Sequence, residues 1–314
     1  MRSFHLLALA VVSLSAAACG ATRGATADAA TTIPALDSAR LIADLYRLAH
    51  DSMAGRAAMT PENAKARAWI VSELQRLGLE PVAGSFEHPF AMPRRNRPDS
   101  VTGSNVLGMV RGTENPERVI VVSAHFDHVG TRNGQIFNGA DDNASGTAAL
   151  LQLAAHFKRR APRHSIVFAF WDAEEMGLLG ARAFVATPPI PLARIGANVN
   201  LDMVSRSDVN TLWAAGATPY PQLRPFLEAV ARSAPVTLKL GHDSGGGRDD
   251  WTNQSDQGAF HAVGIPFVYF GVEDHPDYHQ PTDTPERVTQ GFYYNAVRTI
   301  AAFVVRLDAE LPAR

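Results

Sequence analysis

Several short stretches of this chain put histidines and carboxylates where a metal ion could use them. His125 and Asp127 close an apolar run, Val119-Ile120-Val121-Val122. Two residues apart on an extended chain, their side chains point the same way, so Asp127 can hold the His125 ring and fix its tautomer. Asp141 and Asp142 follow, inside Gly139-Ala140-Asp141-Asp142-Asn143-Ala144-Ser145-Gly146. Glu174 and Glu175 come just after a second apolar run, Ile166 to Phe170. Adjacent glutamates at a strand-to-helix turn point in different directions, which suits one metal ligand and one general base. Asp202 lies in the otherwise apolar Asn200-Leu201-Asp202-Met203, where an unpaired charge would be costly. His275 and His279 complete the set. Neutral nitrogen, anionic oxygen and an outer carboxylate are what a hard or borderline divalent ion requires. Each stretch also has a plainer reading: Glu174 and Glu175 can simply favour a helix dipole, and Asp202 can cap a strand end.

The elements that must carry these residues alternate between strand and helix. Helices are predicted at Leu36 to Ala49, Pro61 to Leu77, Asn143 to Lys158, Glu175 to Val185, Leu223 to Ala231, Gln257 to Val263 and Glu286 to Leu307. Thr60 can cap the second, Pro61 suits its first turn and Gly78 ends it. Strands are predicted at Gly84 to Phe90, Ser104 to Val110, Arg118 to Ala124, His164 to Trp171, Ile195 to Met203, Val209 to Ala214, Val236 to Leu240 and Ile265 to Phe270. Strands apolar on both faces argue a sheet covered on both sides, a three-layer α/β/α sandwich around a mixed, mostly parallel sheet. The polar residues then sit beyond strand ends, where open α/β sheets bind ligands. Nucleotide-binding glycine signatures are absent from the sequence.

At 314 residues with a formal net charge of −2, the chain can bury a large core and offers no electrostatic case for binding nucleic acid. Residues 1–19 read as an export signal: Arg2, then the apolar Phe4 to Leu14, then small residues before Cys19, the chain's only cysteine. This resembles a bacterial lipoprotein signal, with Ala16 where such signals usually carry leucine. An ordinary secretory peptide is the alternative. Both readings imply export to the periplasm or cell envelope, with the protein anchored to the membrane if Cys19 is lipidated and otherwise secreted. Residues 20–34 are expected to form a tether and 35–314 a single domain.

His125, Asp141, Glu175, Asp202 and His279 are the candidate ligands; such a set fits two metals when one carboxylate bridges. The ordered motifs resemble the M28 family of zinc metallopeptidases, mostly aminopeptidases, from about Leu36 to Leu307. They are His125-x-Asp127, Gly139 to Gly146, Glu174-Glu175-x-Gly177-Leu178-Leu179-Gly180, Asn200-x-Asp202 and Tyr278-His279 with Asp283-Thr284. Met53-x-Gly55-Arg56 also looks like the family's N-terminal part. The resemblance implies two zinc ions, with cobalt or manganese able to substitute. One ion would be held by His125 and Asp202, the other by Glu175 and His279, with Asp141 bridging and Asp142 outside. Glu174 would be the general base and Asp127 would orient His125. Peptides would be the substrates, cleaved at the amino end. Gln257 stands where the family carries a histidine, and Thr252 where some relatives carry a tyrosine. Tyr278, Trp251, Gln257 and His242 are therefore the candidates for the substrate pocket.

Rival readings remain on the same fold. A glutaminyl cyclase would suit a single zinc, and a carboxypeptidase-like hydrolase would need a basic receptor such as Arg206 or Arg248. A metal-stabilised binding lipoprotein without chemistry would not need Glu174. His88, His156 and His164 lack acidic neighbours in the sequence and read as surface or packing residues.

Overall fold

The computed structural model describes Met1 and residues 32–93, 100–247 and 249–313. The export signal with Cys19, the tether up to residue 31 and Arg248 lie outside the described residues. Among the described residues, no helix is long and apolar enough to cross a membrane.

The helices are α1 (Ser38–Leu48), α2 (Pro61–Leu77), α3 (Gly146–Arg159), α4 (Leu179–Ala186), α5 (Arg224–Ala231), α6 (Gln257–Ala262) and α7 (Gln290–Glu310). The strands are β1 (Glu80–Pro81), β2 (Glu87–Pro93), β3 (Ser100–Val110), β4 (Asn115–His125), β5 (Gly130–Arg132), β6 (Gln135–Phe137), β7 (His164–Trp171), β8 (Ile195–Leu201), β9 (Thr211–Ala215), β10 (Thr237–Leu240) and β11 (Phe267–Gly271). Nine strands form the main sheet in the order β1-β3-β7-β4-β8-β11-β9-β10, with β2 also paired to β3. Its centre, β7-β4-β8-β11, is parallel throughout. Antiparallel pairs join β3 to β7 and β9 to β11.

Strand periodicity explains the layers. In β4, Ile120, Val122 and Ala124 join one core while Val119 and Val121 join the other; Ile166, Phe168 and Phe170 of β7 oppose Val167, Ala169 and Trp171 in the same way. The first core is closed by apolar stripes of α1, α2, α3, α5 and α7, and the second by Phe184 of α4 and Phe260 of α6. The helix caps are those the sequence predicts: the Thr60 hydroxyl accepts from Asn63 N at 3.1 Å, and Gly78 takes the left-handed conformation at φ 73°.

Several predicted helix starts shift by one to four residues, and two of the shifts bear on the site. The helix expected from Glu175 begins at Leu179, because Ala173, Gly177 and Leu178 have φ of 58°, 98° and 61° and cannot continue a helix. The one expected from Asn143 begins as regular α-helix at Gly146, after an irregular turn in which Asp142 and Asn143 leave helical geometry. Glu174, Glu175, Asp141 and Asp142 therefore belong to turns. The β5–β6 hairpin has no counterpart in the sequence prediction.

Candidate metal centre

The parallel strands deliver the acidic and imidazole groups to one edge of the sheet. His125 is the last residue of β4, Glu174 and Glu175 lie in the turn after β7, and Asp202 follows β8 directly. His279 comes from the loop after β11. Parallel neighbours end on the same side, so these four segments converge without long excursions.

The donor atoms fall into two groups that share Asp142. One group is His125, Asp142 and Asp202; the other is His128, Asp142, Glu175 and His279; within each, the atoms lie inside 4.8 Å of one another. His125 Nε2 is 3.4 Å from Asp142 Oδ1 and 3.2 Å from Asp202 Oδ1. His279 Nε2 is 2.9 Å from Asp142 Oδ2 and 3.2 Å from Glu175 Oε2. Asp142 thus turns one oxygen toward each group, the disposition of a bridging carboxylate.

That arrangement corrects the expectation for Asp141. Its Oδ1 accepts from the backbone N–H and the hydroxyl of Ser205, both at 2.7 Å, and its Oδ2 lies 3.1 Å from His275 Nε2. Neighbouring side chains in this turn diverge, and the backbone N–H groups of Asp141 and Asp142 are anchored on the Asp283 carboxylate at 3.0–3.1 Å. Asp142, expected outside, stands at the centre. His128 was not among the candidates either. Its signal is its place in the same His125-Phe126-Asp127-His128 stretch, but only the loop after β4 reveals where its ring goes.

Asp127 has a role different in detail from the one expected. His125 Nδ1 lies 3.1 Å from the Asp127 backbone carbonyl, whereas the carboxylate oxygen Oδ1, 3.7 Å from that ring, accepts the Glu174 backbone N–H at 3.0 Å. Asp127 therefore ties the turn carrying Glu174 to the end of β4. Arg56 ties the neighbouring loops together. Fully buried, it donates to the carbonyls of Phe126 (2.8 Å), Leu48 (2.8 Å), Asn138 (2.7 Å) and Gly139 (2.9 Å).

The electrostatics are those of a site built for cations. Burial opposes protonation of His125, yet Asp202 and Glu174 push it well above the usual histidine range. His279 is pushed up to about 10: burial opposes the shift, and Asp142 and Glu175 outweigh it. Glu175 is held below the usual carboxylate range despite burial, through its contacts with His128 and His279. Glu174 moves the other way. Burial pushes it well above the carboxylate range, His125 opposes, and Asp256, Asp202 and Asp127 add to the rise. The His128–Glu175 pair has a further feature. His128 Nδ1 lies 2.8 Å from Glu175 Oε1, yet both atoms are buried without an aligned hydrogen bond. Opposed donors of this kind fit zinc, which takes imidazole and carboxylate together.

The expected pocket residues separate. Tyr278 and Trp251 line the cleft beside the donors, with Tyr269, Gln254, Ser255 and Asp274. Tyr278 stacks on His279 with ring centroids 4.0 Å apart. Gln257 is instead fully buried: its amide donates to Trp251 O at 2.6 Å and accepts from Asn200 at 3.0 Å. It braces the pocket wall from behind. His242 stacks on Trp251 at 3.7 Å and, away from the cleft, faces Asp249 and Glu273. Arg206 pairs with Asp277 and touches His275. His164 does have an acidic partner, Asp308 at 3.1 Å, because α7 returns beside the start of β7; the pair is far from the cleft in the fold. His88 contacts the Ser85 carbonyl and His156 packs edge-on against Phe157.

Comparison with known proteins agrees with this geometry. A probable zinc metalloprotease of Leptosphaeria maculans is 35% identical over 154 residues, covering 45% of this chain and 34% of that one. A probable glutamate carboxypeptidase of Zea mays is 31% identical over 199 residues, 57% of this chain and 26% of that one. The chain thus spans less than half the length of these relatives. The crystal structure of a zinc aminopeptidase from Bacillus subtilis superposes with a TM-score of 0.72 at 18% identity, covering 87% of this chain and 95% of that one, which establishes the shared fold. Residues 105–304, which include every donor named above, match the model of peptidase family M28. The chain belongs to peptidase family M28.

Proposed function

We propose that the protein is a two-zinc aminopeptidase. The observation that carries the choice is the composition of the cleft wall. Besides the donors Glu175, Asp142 and Asp202, whose charge the ions would offset, it carries the carboxylates of Glu174 and Asp274, and among the described residues no lysine or arginine lines it. Such a wall attracts the ammonium group of a peptide's amino end and repels a terminal carboxylate. Two zinc ions in the paired donor groups would supply Lewis acidity toward the scissile carbonyl and activation of water. Glu174 stands outside both donor groups, at the cleft, with a raised proton affinity. It takes the proton from the attacking water and returns it to the leaving amine. Asp127 keeps that carboxylate in reach by holding its backbone N–H.

The carboxypeptidase reading needs a free basic group in the cleft, and Arg206 is engaged by Asp277 and His275 outside it. A cyclase with one zinc leaves the second donor group without a purpose. Export, with or without lipidation at Cys19, rests on residues 1–19 alone and stays a proposal of the sequence. The test is hydrolysis of aminoacyl chromogenic substrates beside their N-acetyl counterparts and C-terminal reporter peptides, with chelation and zinc or cobalt add-back. Metal-dependent cleavage that requires the free amine supports the reading. Preference for the carboxyl end, or no cleavage by fully loaded protein, overturns it.

A further inference from the structure

The two halves of the metal centre are unequal, and His128 is the cause. Its ring is completely buried, with Nδ1 turned toward Glu175 Oε1 at 2.8 Å and Asp142 Oδ2 at 3.5 Å. A lone pair facing two anionic oxygens is repulsive unless a cation lies between them. Nδ1 and Glu175 Oε1 are not aligned for a hydrogen bond, whereas a single ion could take His128, Glu175, Asp142 and His279 together. The backbone is also shaped around this ring. Gly139 adopts φ +57°, and a Cβ there would come within 2.5 Å of His128 Cγ and Cδ2. His279 sits opposite, with ring centroids 5.6 Å apart.

We propose that His128 is a metal ligand through Nδ1, giving one metal position the four protein donors His128, His279, Glu175 and Asp142, against His125, Asp202 and Asp142 at the other. The inference rests on the two-ion reading and goes beyond it, because it makes loading ordered. Two imidazoles suit zinc better than one among divalent ions. The first equivalent of zinc therefore enters the His128–His279 position and is the harder to remove; the second enters beside His125.

X-ray absorption of the wild-type protein carrying one equivalent of zinc counts the imidazoles around the ion without any substitution. Two imidazoles are expected, and one would overturn the proposal. In His128→Ala and His128→Gln, chelator competition reads first-ion affinity, and the visible spectrum of the cobalt form reads coordination. A loss of about 100-fold or more in first-ion affinity is expected, with an altered first-ion spectrum and little change for the second ion. A loss below about tenfold with an unchanged spectrum would mean that His128 only orients Glu175. If either variant fails to fold, the wild-type absorption measurement still decides. Aminopeptidase activity of the fully loaded protein is a separate readout: activity with a single imidazole at the first ion removes this inference and leaves the proposed function standing.

Discussion

Replacing Arg56 by methionine should loosen the whole metal centre without touching a donor. The guanidinium makes four hydrogen bonds to buried carbonyls, two of them on Phe126 and Gly139, which adjoin the His125–Asp127 and Asp141–Asp142 segments. Hydrogen bonds from a charged donor contribute about 1.5–3 kcal/mol each, so the gross loss is on the order of 6–12 kcal/mol. Relief from burying the charge offsets part of it. Burial already pulls the guanidinium down to about 10, with Asp142, Asp127, Asp283 and Glu175 pushing back. A net loss of about 3–5 kcal/mol is expected, in line with removing one member of a buried charged network. That corresponds to a fall of roughly 10 °C in Tm. Arg56→Lys keeps the charge, but three donors on one nitrogen cannot span four carbonyls, so its loss should be intermediate. Thermal and denaturant unfolding of the metal-free protein measures both, and chelator competition reads the accompanying fall in zinc affinity. If Arg56→Met stays within about 1 kcal/mol of the wild type and binds zinc equally well, Arg56 is not the tie described here.

Other outcomes follow from the same geometry. Glu174→Gln should lower kcat by about 10²- to 10⁴-fold while zinc content stays at the wild-type level, checked by steady-state kinetics beside metal analysis. Asp141→Asn should retain both ions and lose stability through its contacts with Ser205 and His275, so equal metal depletion in Asp141→Asn and Asp142→Asn would contradict their assignment. The metal-free protein should become less stable as the pH rises from about 6.5 to about 10. His279 is raised from 6.5 to about 10, so its contribution is complete below the unfolded value and is lost toward the folded one. Asp172 and Asp283, raised chiefly by burial from 3.8 to about 6, act with the same sign between those values. Zinc-loaded protein, whose imidazoles are neutral ligands, should lack the alkaline decline; parallel curves for the two forms in thermal scans would refute the linkage.

Much of the site was legible because the sheet is parallel. Apolar runs ending in His125, Trp171, Leu201 and Gly271 announce buried strands, and the residues beyond them had to meet at one edge. Spacing could not choose between Asp141 and Asp142. That choice is made by Asp283, Ser205 and His275, which are distant in sequence and capture Asp141. The segment from Glu175 to Leu178 read as the first turn of a helix because its residue types allow one; the positive φ of Gly177 and Leu178 excludes it. Gln257 read as a pocket residue because it stands where the M28 pattern carries a histidine, yet it belongs to a buried network. Ser123 bonds Asn200 at 2.7 Å, Asn200 bonds Gln257, and Gln257 holds Trp251. Networks of this kind have no period to read.

The proposed function depends on Asp142 being shared between two zinc ions. Anomalous diffraction from crystals of the zinc-loaded protein, recorded on both sides of the zinc edge, tests it most directly. Two peaks should flank the Asp142 carboxylate, one toward His125 and Asp202 and one toward Glu175 and His279. A single peak, or a pair centred on Asp141, would contradict the account.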